Sequence, residues 1–472
     1  MRTLRADVAV VGTGAGGAVV AKELAEAGLR VVVVEEGEWH PAETLTARPR
    51  DMLVELYRDA GQTVTIGSPP IVLPLGKAVG GTTLVNSGTC FRTPGHVLAR
   101  WRAEDGLDLD LDFDRVEAEL NVVEVPPELA GRNADLVRRG AAALGLSGGY
   151  LRRNVRGCVG SGVCAYGCPP GAKQHVGATY VPKAVAAGAE LLTGVRIRRI
   201  RTGRGGAVTG VEGDGVRVDA PRVVLAAGAM HTPALLAANR LGRSPALGRN
   251  LSIHPATAAR ARFDEDVVLW DGVPQSYYVD ALAGDGIMLE GIAGPPDYLA
   301  MAIPGHGPEH RALMLDARRL AQFGVMVSDS ARGRVRSLRG RPLIRYDLAP
   351  ADAARFQRGL ELLARIWFAA GAREVVVPVA GVPPLRDGDT APLRAARVRP
   401  RDLTLMAFHP LGTARASADP TRGVLDSDLQ VRGTPGLYVG DGAAVPSSLG
   451  VNPQITIMAL ATRLAGHIAC RV

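Results

Sequence analysis

The sequence predicts an α/β fold (α+β in its details), with helices flanking a parallel sheet and an antiparallel sheet inserted between its parts. Three observations predict it. An apolar run at 7–11 leads through a Gly-rich turn into a helix-like stretch. Two more apolar runs ending in glycine, 222–228 and 436–442, lie hundreds of residues downstream. Between them, 322–327 and 343–348 alternate with the period of two of antiparallel strands.

Composition is compatible with this plan. A chain of 472 residues has room for two or three domains. Its 47% hydrophobic and 22% charged residues suit a globular enzyme rather than a disordered chain. Aromatics make up only 4%, so Ala, Val, Leu and Ile must build the core. No run reaches the ~18 apolar residues of a membrane span, and the N-terminus passes directly into a strand without a leader-like segment. A cytoplasmic location is the expectation. The net charge of +8 is mostly arginine, densest at 196–204 and 332–341. These clusters fall between strand-like segments and read as solvated turns; no nucleic-acid motif accompanies them. Five cysteines are too few for a disulfide framework.

The first element is the most informative. Residues 7–11 read as a buried strand, followed by Gly12-Thr13-Gly14-Ala15-Gly16-Gly17, a helix to Gly28, and a second strand ending at Glu35. This is the G-x-G-x-x-G dinucleotide motif in its required setting. Gly12 makes the tight turn, Gly14 lets a pyrophosphate approach the backbone, and Gly17 lets helix pack on strand. The helix N-terminus then faces the phosphates, and Glu35 is placed for the ribose hydroxyls. A second Gly-rich loop, 76–83, leads to Asn86. The run at 222–228 precedes a helix expected from about Thr232, and 436–442 places Asp441 at a strand end. Such returns to the nucleotide unit suit an extended, enclosed cofactor such as FAD better than NAD.

With these residues in view, the sequence resembles the glucose–methanol–choline (GMC) flavin oxidoreductases. The matching stretches run in order along nearly the whole chain: GTGAGGAVVAKELAEAG, GKAVGGTTLVNSG, GCPPGAKQHVGATYVPKA, VVLAAGAMHTPALL, LGRNLSIHP, FHPLGT and LYVGDGAAVPSSLGVNPQITIMALA. The resemblance implies a Rossmann-like FAD-binding domain with an inserted antiparallel-sheet substrate domain. It implies flavin contacts at Gly12, Gly14, Gly17, Glu35, Thr82, Asn86, Asp441 and Gly442, and a backbone contact at Val195. Val85 stands where some members carry a flavin-linking His, so the FAD is expected to be noncovalent. A last helix beginning near Pro453 would aim its positive end at the flavin.

The resemblance also implies the chemistry. His409, in the FHPLGT motif, is the expected base for an alcohol proton, and Asn452 is expected to orient the substrate oxygen. The implied reaction oxidises the CH–OH group of a small-molecule alcohol to an aldehyde or ketone by hydride transfer to flavin N5. The electron acceptor is oxygen, a quinone, a cytochrome or another protein. A charge-poor insert and likeness to the long-chain alcohol oxidase branch point to a hydrophobic alcohol. The same scaffold also hosts lyases and a fatty-acid decarboxylase.

Cys158, Cys164 and Cys168 match a ferredoxin-like spacing in which Ser161 replaces the second cysteine. Some sugar and polyol dehydrogenases of this family carry an iron–sulfur cluster on a similar stretch. Plain loop packing is the preferred reading, and no metal ligand is assigned. Residues 1–250 and 400–472 are expected to form the FAD-binding domain and 251–399 the substrate domain. An amphipathic helix is expected over 352–371. Gln275-Ser276-Tyr277-Tyr278 and 288–292 are candidates for the substrate wall or, equally, for sheet packing.

Overall fold

The computed structural model describes residues 1–302, 306–330 and 332–471. At its centre, five parallel strands lie in the order Leu437–Val439, Arg222–Leu225, Val8–Val11, Val31–Val34 and Glu190–Leu192. Val8–Val11 and Val31–Val34 are buried along their whole length, as unbroken apolar runs must be in a doubly covered parallel sheet. Val11 pairs with Val34 and with Leu225, and Leu225 with Val439. The strands therefore end level, and Gly12, Glu35, Ala226 and Gly440 emerge together at the carboxyl edge, where open α/β sheets bind ligands. Helix Gly17–Glu26 packs on Tyr180–Ala186 and on Gln454–Ala469.

Helix Gly228–Ala238 begins four residues before the expected Thr232 and carries Pro233 inside it. Proline has no N–H to give the carbonyl four residues back. That carbonyl, on Ala229, accepts the Thr413 hydroxyl instead, at 2.5 Å.

The antiparallel sheet runs Leu385–Arg386, Glu374–Val376, Pro255–Arg262, Leu320–Val327, Ile287–Gly291, Tyr277–Val279 and Gly148–Tyr150, with Met406–Ala407 beside Pro255. It reaches beyond 251–399 to take in Gly148–Tyr150 at one edge. Helices Pro350–Ala369, close to the expected 352–371, and Gly131–Ala143 pack against each other over one face. Ala259, Ala261, Leu289, Phe323 and Val327 turn into that helix-covered core. The alternate positions Arg260, Glu290, Gln322 and Gly324 turn to the opposite side and line a cavity. Period two thus places polar groups on fully buried strands without putting them in the apolar core.

The two alternating segments part company here. Residues 322–327 lie in the sheet, but Arg341–Arg345 forms a separate ribbon with Arg334–Leu338. The ribbon packs on helix Gly228–Ala238, because only Val335 and Ile344 of its central pairs are apolar enough to be buried; it does not join the roof expected of both segments.

Candidate active site

A cavity of about 1120 Å³ lies between the carboxyl edge of the parallel sheet and the inner face of the antiparallel one. Gly12, Gly14, Glu35, Thr82, Asn86, Val195, Asp441, Gly442, His409 and Asn452 all line it. Gly17 does not; it sits behind, where a Cβ would strike the Gly12 carbonyl oxygen. The sequence elements around the cavity explain its shape. Gly12 turns at φ +101°, a conformation L-residues avoid, and a Cβ there would strike Ala226 O. Gly16, whose role spacing alone does not show, passes so close to the Gly440 carbonyl that only glycine fits. Gly14 is different: nothing lies within 4 Å of a Cβ built on it. Its backbone is bare towards the cavity, beside the first turn of helix Gly17–Glu26, which is the cradle a pyrophosphate needs.

Glu35 is buried, and burial pushes its carboxyl up. Its oxygens accept Thr13 N at 2.8 Å, Thr13 Oγ1 at 2.7 Å and Gly37 N at 2.8 Å, and Val195 N donates to its carbonyl at 2.9 Å. Thr13 Oγ1 also accepts Gly80 N at 3.1 Å, tying the second Gly-rich loop over the first. Thr82 accepts Gly76 N, and Asn86 donates to Gln454 Oε1 at 2.8 Å. Asp441 is fully engaged, accepting from Gly228 N, Thr232 Oγ1 and Ala443 N; it ties together the ends of strands Arg222–Leu225 and Leu437–Val439.

The reactive end is a chain of four side chains. His254 Nε2 accepts the N–H groups of Leu449 and Gly450 at 2.9 and 3.3 Å. A nitrogen that accepts two amide protons carries none, so the single proton of neutral His254 is on Nδ1. His254 Nδ1 lies 3.3 Å from His409 Nδ1, which must then accept and place the proton of neutral His409 on Nε2. Burial holds His254 down at about 3 and His409 well below its usual value, so both are neutral. Asn452 Nδ2 stands 3.4 Å from His409 Nε2 and 3.4 Å from Glu290 Oε2. Two N–H groups facing one another make a poor contact, so the Asn452 amide N–H is held by the Glu290 carboxylate, and Asn452 Oδ1 has no partner among the described residues. Glu290 is buried, accepts Gln275 Nε2 at 2.9 Å, and its Oε1 has no partner among the described residues. Burial lifts its carboxyl to about 7.

Comparison with known proteins decides the family. GMC oxidoreductase models match residues 53–256 and 329–461, and an FAD binding domain model matches 7–44. A GMC-type oxidoreductase of Mycobacterium tuberculosis is 45% identical over 99% of this chain and 76% of its own length. The chain belongs to the GMC oxidoreductase family. A long-chain-alcohol oxidase of Arabidopsis thaliana is 28% identical to this GMC oxidoreductase over 98% of the chain and 67% of its own. The crystal structure of pyridoxine 4-oxidase from Mesorbium loti shares the fold, with a TM-score of 0.74 at 20% identity, covering 98% of each chain. FAD is the cofactor, and the Gly14 cradle, the Glu35 turn and the cavity between the two sheets fit it.

Other expected residues divide. Of the substrate-wall candidates, Gln275, Glu290, Gly291 and Ile292 line the cavity of this GMC oxidoreductase, whereas Ser276, Tyr277, Tyr278 and Met288 do not; Ser276 donates instead to Ala130 O at 2.9 Å. Cys158, Cys164 and Cys168 line a separate void of about 10 Å³. No group of three or more His, Cys, Asp or Glu among the described residues is arranged to hold a metal. Arg153 Nη2 lies 3.1 Å from Cys164 Sγ. Lys173 Nζ donates to Leu84 O, Asn86 O and Cys164 O at 2.5, 2.8 and 2.7 Å, so this loop braces the Asn86 segment. No helix among the described residues is long and apolar enough to cross a membrane.

Proposed function

We propose that this GMC oxidoreductase oxidises the CH–OH group of a hydrophobic alcohol to an aldehyde or ketone, and that oxygen takes the electrons afterwards. The His254–His409–Asn452–Glu290 chain carries the reading. Bound FAD supplies the hydride acceptor. The protein's own part is to hold the alcohol oxygen and receive its proton. His409 Nε2–H and the Asn452 amide hydrogen-bond that oxygen, and the Glu290 carboxylate, which lines the cavity beside them, takes the proton. The C–H pair leaves as hydride, the O–H proton goes to a carboxylate, and the carbonyl results. On this reading His409 donates rather than accepts, the reverse of the role its motif suggests. The reason is that two backbone amides fix its tautomer through His254. A group titrating near 7 is matched to proton transfer at neutral pH.

Apolar residues around this end, among them Val72, Ile292, Met326, Leu405 and Phe408, support a hydrophobic substrate, as does the name of the Arabidopsis relative. Val85 is buried beside Leu84 and Tyr57 and offers no atom for a flavin bond, which supports noncovalent FAD. The test is anaerobic addition of an alcohol panel to the yellow protein. Bleaching of the flavin band by long-chain alcohols, reversed by air, is the expected result; a band untouched by every alcohol overturns the reading.

A further inference from the structure

The ribbon Arg334–Leu338/Arg341–Arg345 has a face the reaction does not use. Arg334 lies opposite Arg345, Arg336 opposite Leu343, and Leu338 opposite Arg341. Directly opposed residues share a face, so one face presents four arginines and two leucines. On the other, Val335 and Ile344 are buried. Leu338 is 60% exposed and Leu343 39%. Ile66 bridges to Arg345 at the ribbon's edge and is 59% exposed. Residues 332–346 hold six arginines and no acid. Among the described residues, Arg345 alone of the six makes an ion pair, with Asp347 at 3.2 Å, while Arg332 acts on the buried Asp329 carboxylate. Arg339 and Arg341 at the turn are exposed and also line the cavity, so the cavity opens beside this face.

We propose that the ribbon is a docking face for an anionic lipid bilayer. A free arginine cluster needs only water, and a polyanion would neutralise the guanidinium groups while leaving Leu338, Leu343 and Ile66 solvated. A bilayer surface satisfies both sets. Lipid phosphates take the arginines in bidentate hydrogen bonds, and the apolar side chains reach the acyl boundary between them. Exposed apolar groups set among cations, continuous with a cavity mouth, are what such a surface selects. The proposal stands on the ribbon alone and does not depend on the reaction.

The test is co-sedimentation of the FAD-loaded full chain with vesicles of phosphatidylcholine, with and without phosphatidylglycerol. Binding to the anionic vesicles only, weakened by salt, is expected. Arg336→Gln should weaken it about five-fold, the share of one arginine at an anionic surface. Leu338→Ser should also weaken it, and that loss should persist when salt screens the arginines. Both variants should keep their FAD and their wild-type turnover of a short, soluble alcohol. No binding to anionic vesicles overturns the proposal, as does vesicle binding that neither variant weakens. Equal retention on heparin with Leu338→Ser indistinguishable from wild type overturns it too, in favour of a polyanion.

Discussion

On the proposed reading Glu290 is the residue on which the chemistry turns, and its pH behaviour has a definite sign. Burial raises its carboxyl from the ordinary value to about 7, so the folded state binds its proton more tightly than the unfolded chain. Stability from this group is therefore full below the unfolded pKa and falls as pH rises through about 7. The base must be ionised to act, so flavin reduction should rise over the same range in which stability falls. Glu290→Gln separates the two: it should slow flavin reduction by about 10²–10⁴ while raising stability at pH 8 by on the order of 3 kcal/mol. Stopped-flow reduction and urea titration at pH 6 and 8 check both. His409→Gln keeps a donor and should cost less than His409→Ala. If His409 were the base, the two would be equally damaging and Glu290→Gln mild. His409 and Asn452 were legible because their motifs are local. Glu290 was visible only as an acid in the apolar stretch Ile287–Gly291, and its partner Asn452 comes from a segment 162 residues away. His254 lay inside a recognised stretch, but its role needs Leu449, Gly450 and His409, all more than 150 residues away. Its N–H, with those of Ile253 and the hydroxyls of Ser252, Tyr346 and Ser448, is gathered by Asp329, another group with no local signature.

At the scale of elements, the cysteine loop acts as a brace. Lys173 is buried, and burial pulls its ammonium down to about 8, yet it holds three carbonyls from two segments that frame Asn86. Lys173→Met leaves those three carbonyls without a donor and should cost at least about 3 kcal/mol, since each buried orphan costs ~1–3 kcal/mol. Because Leu84 O and Asn86 O are freed, FAD occupancy should drop as well; denaturant titration and the flavin-to-protein absorbance ratio measure the two effects. A variant as stable and as yellow as wild type would contradict the brace. The strand–turn–helix units were readable because a valine run, a glycine and an apolar helix each need only neighbouring residues. The early start of Gly228–Ala238 was hidden, since Pro233 reads as a first-turn residue until Thr413 is seen to cap Ala229. The placement of Arg341–Arg345 was hidden for a related reason: period two gives the faces of a strand but not its neighbours.

For the molecule as a whole, two sheets close on one cavity, with the FAD cradle on the parallel edge and the reactive side chains between it and the antiparallel roof. Acid precipitation should release all the FAD into the supernatant, as Val85 predicts; yellow colour in the pellet would mean a covalent bond. The α/β class and its inserted antiparallel sheet could be read from the order of segments alone. That Gly148–Tyr150 completes the roof could not, because its pairing with Tyr277–Val279 is set by tertiary closure rather than by its own three residues. The central claim, that an alcohol gives hydride within this cavity, is tested most directly by the deuterium isotope effect on anaerobic flavin reduction. A long-chain alcohol deuterated at its α-carbon should reduce the flavin several-fold more slowly than the protiated alcohol. Equal rates from the two alcohols at saturation, or no reduction by either, would contradict it.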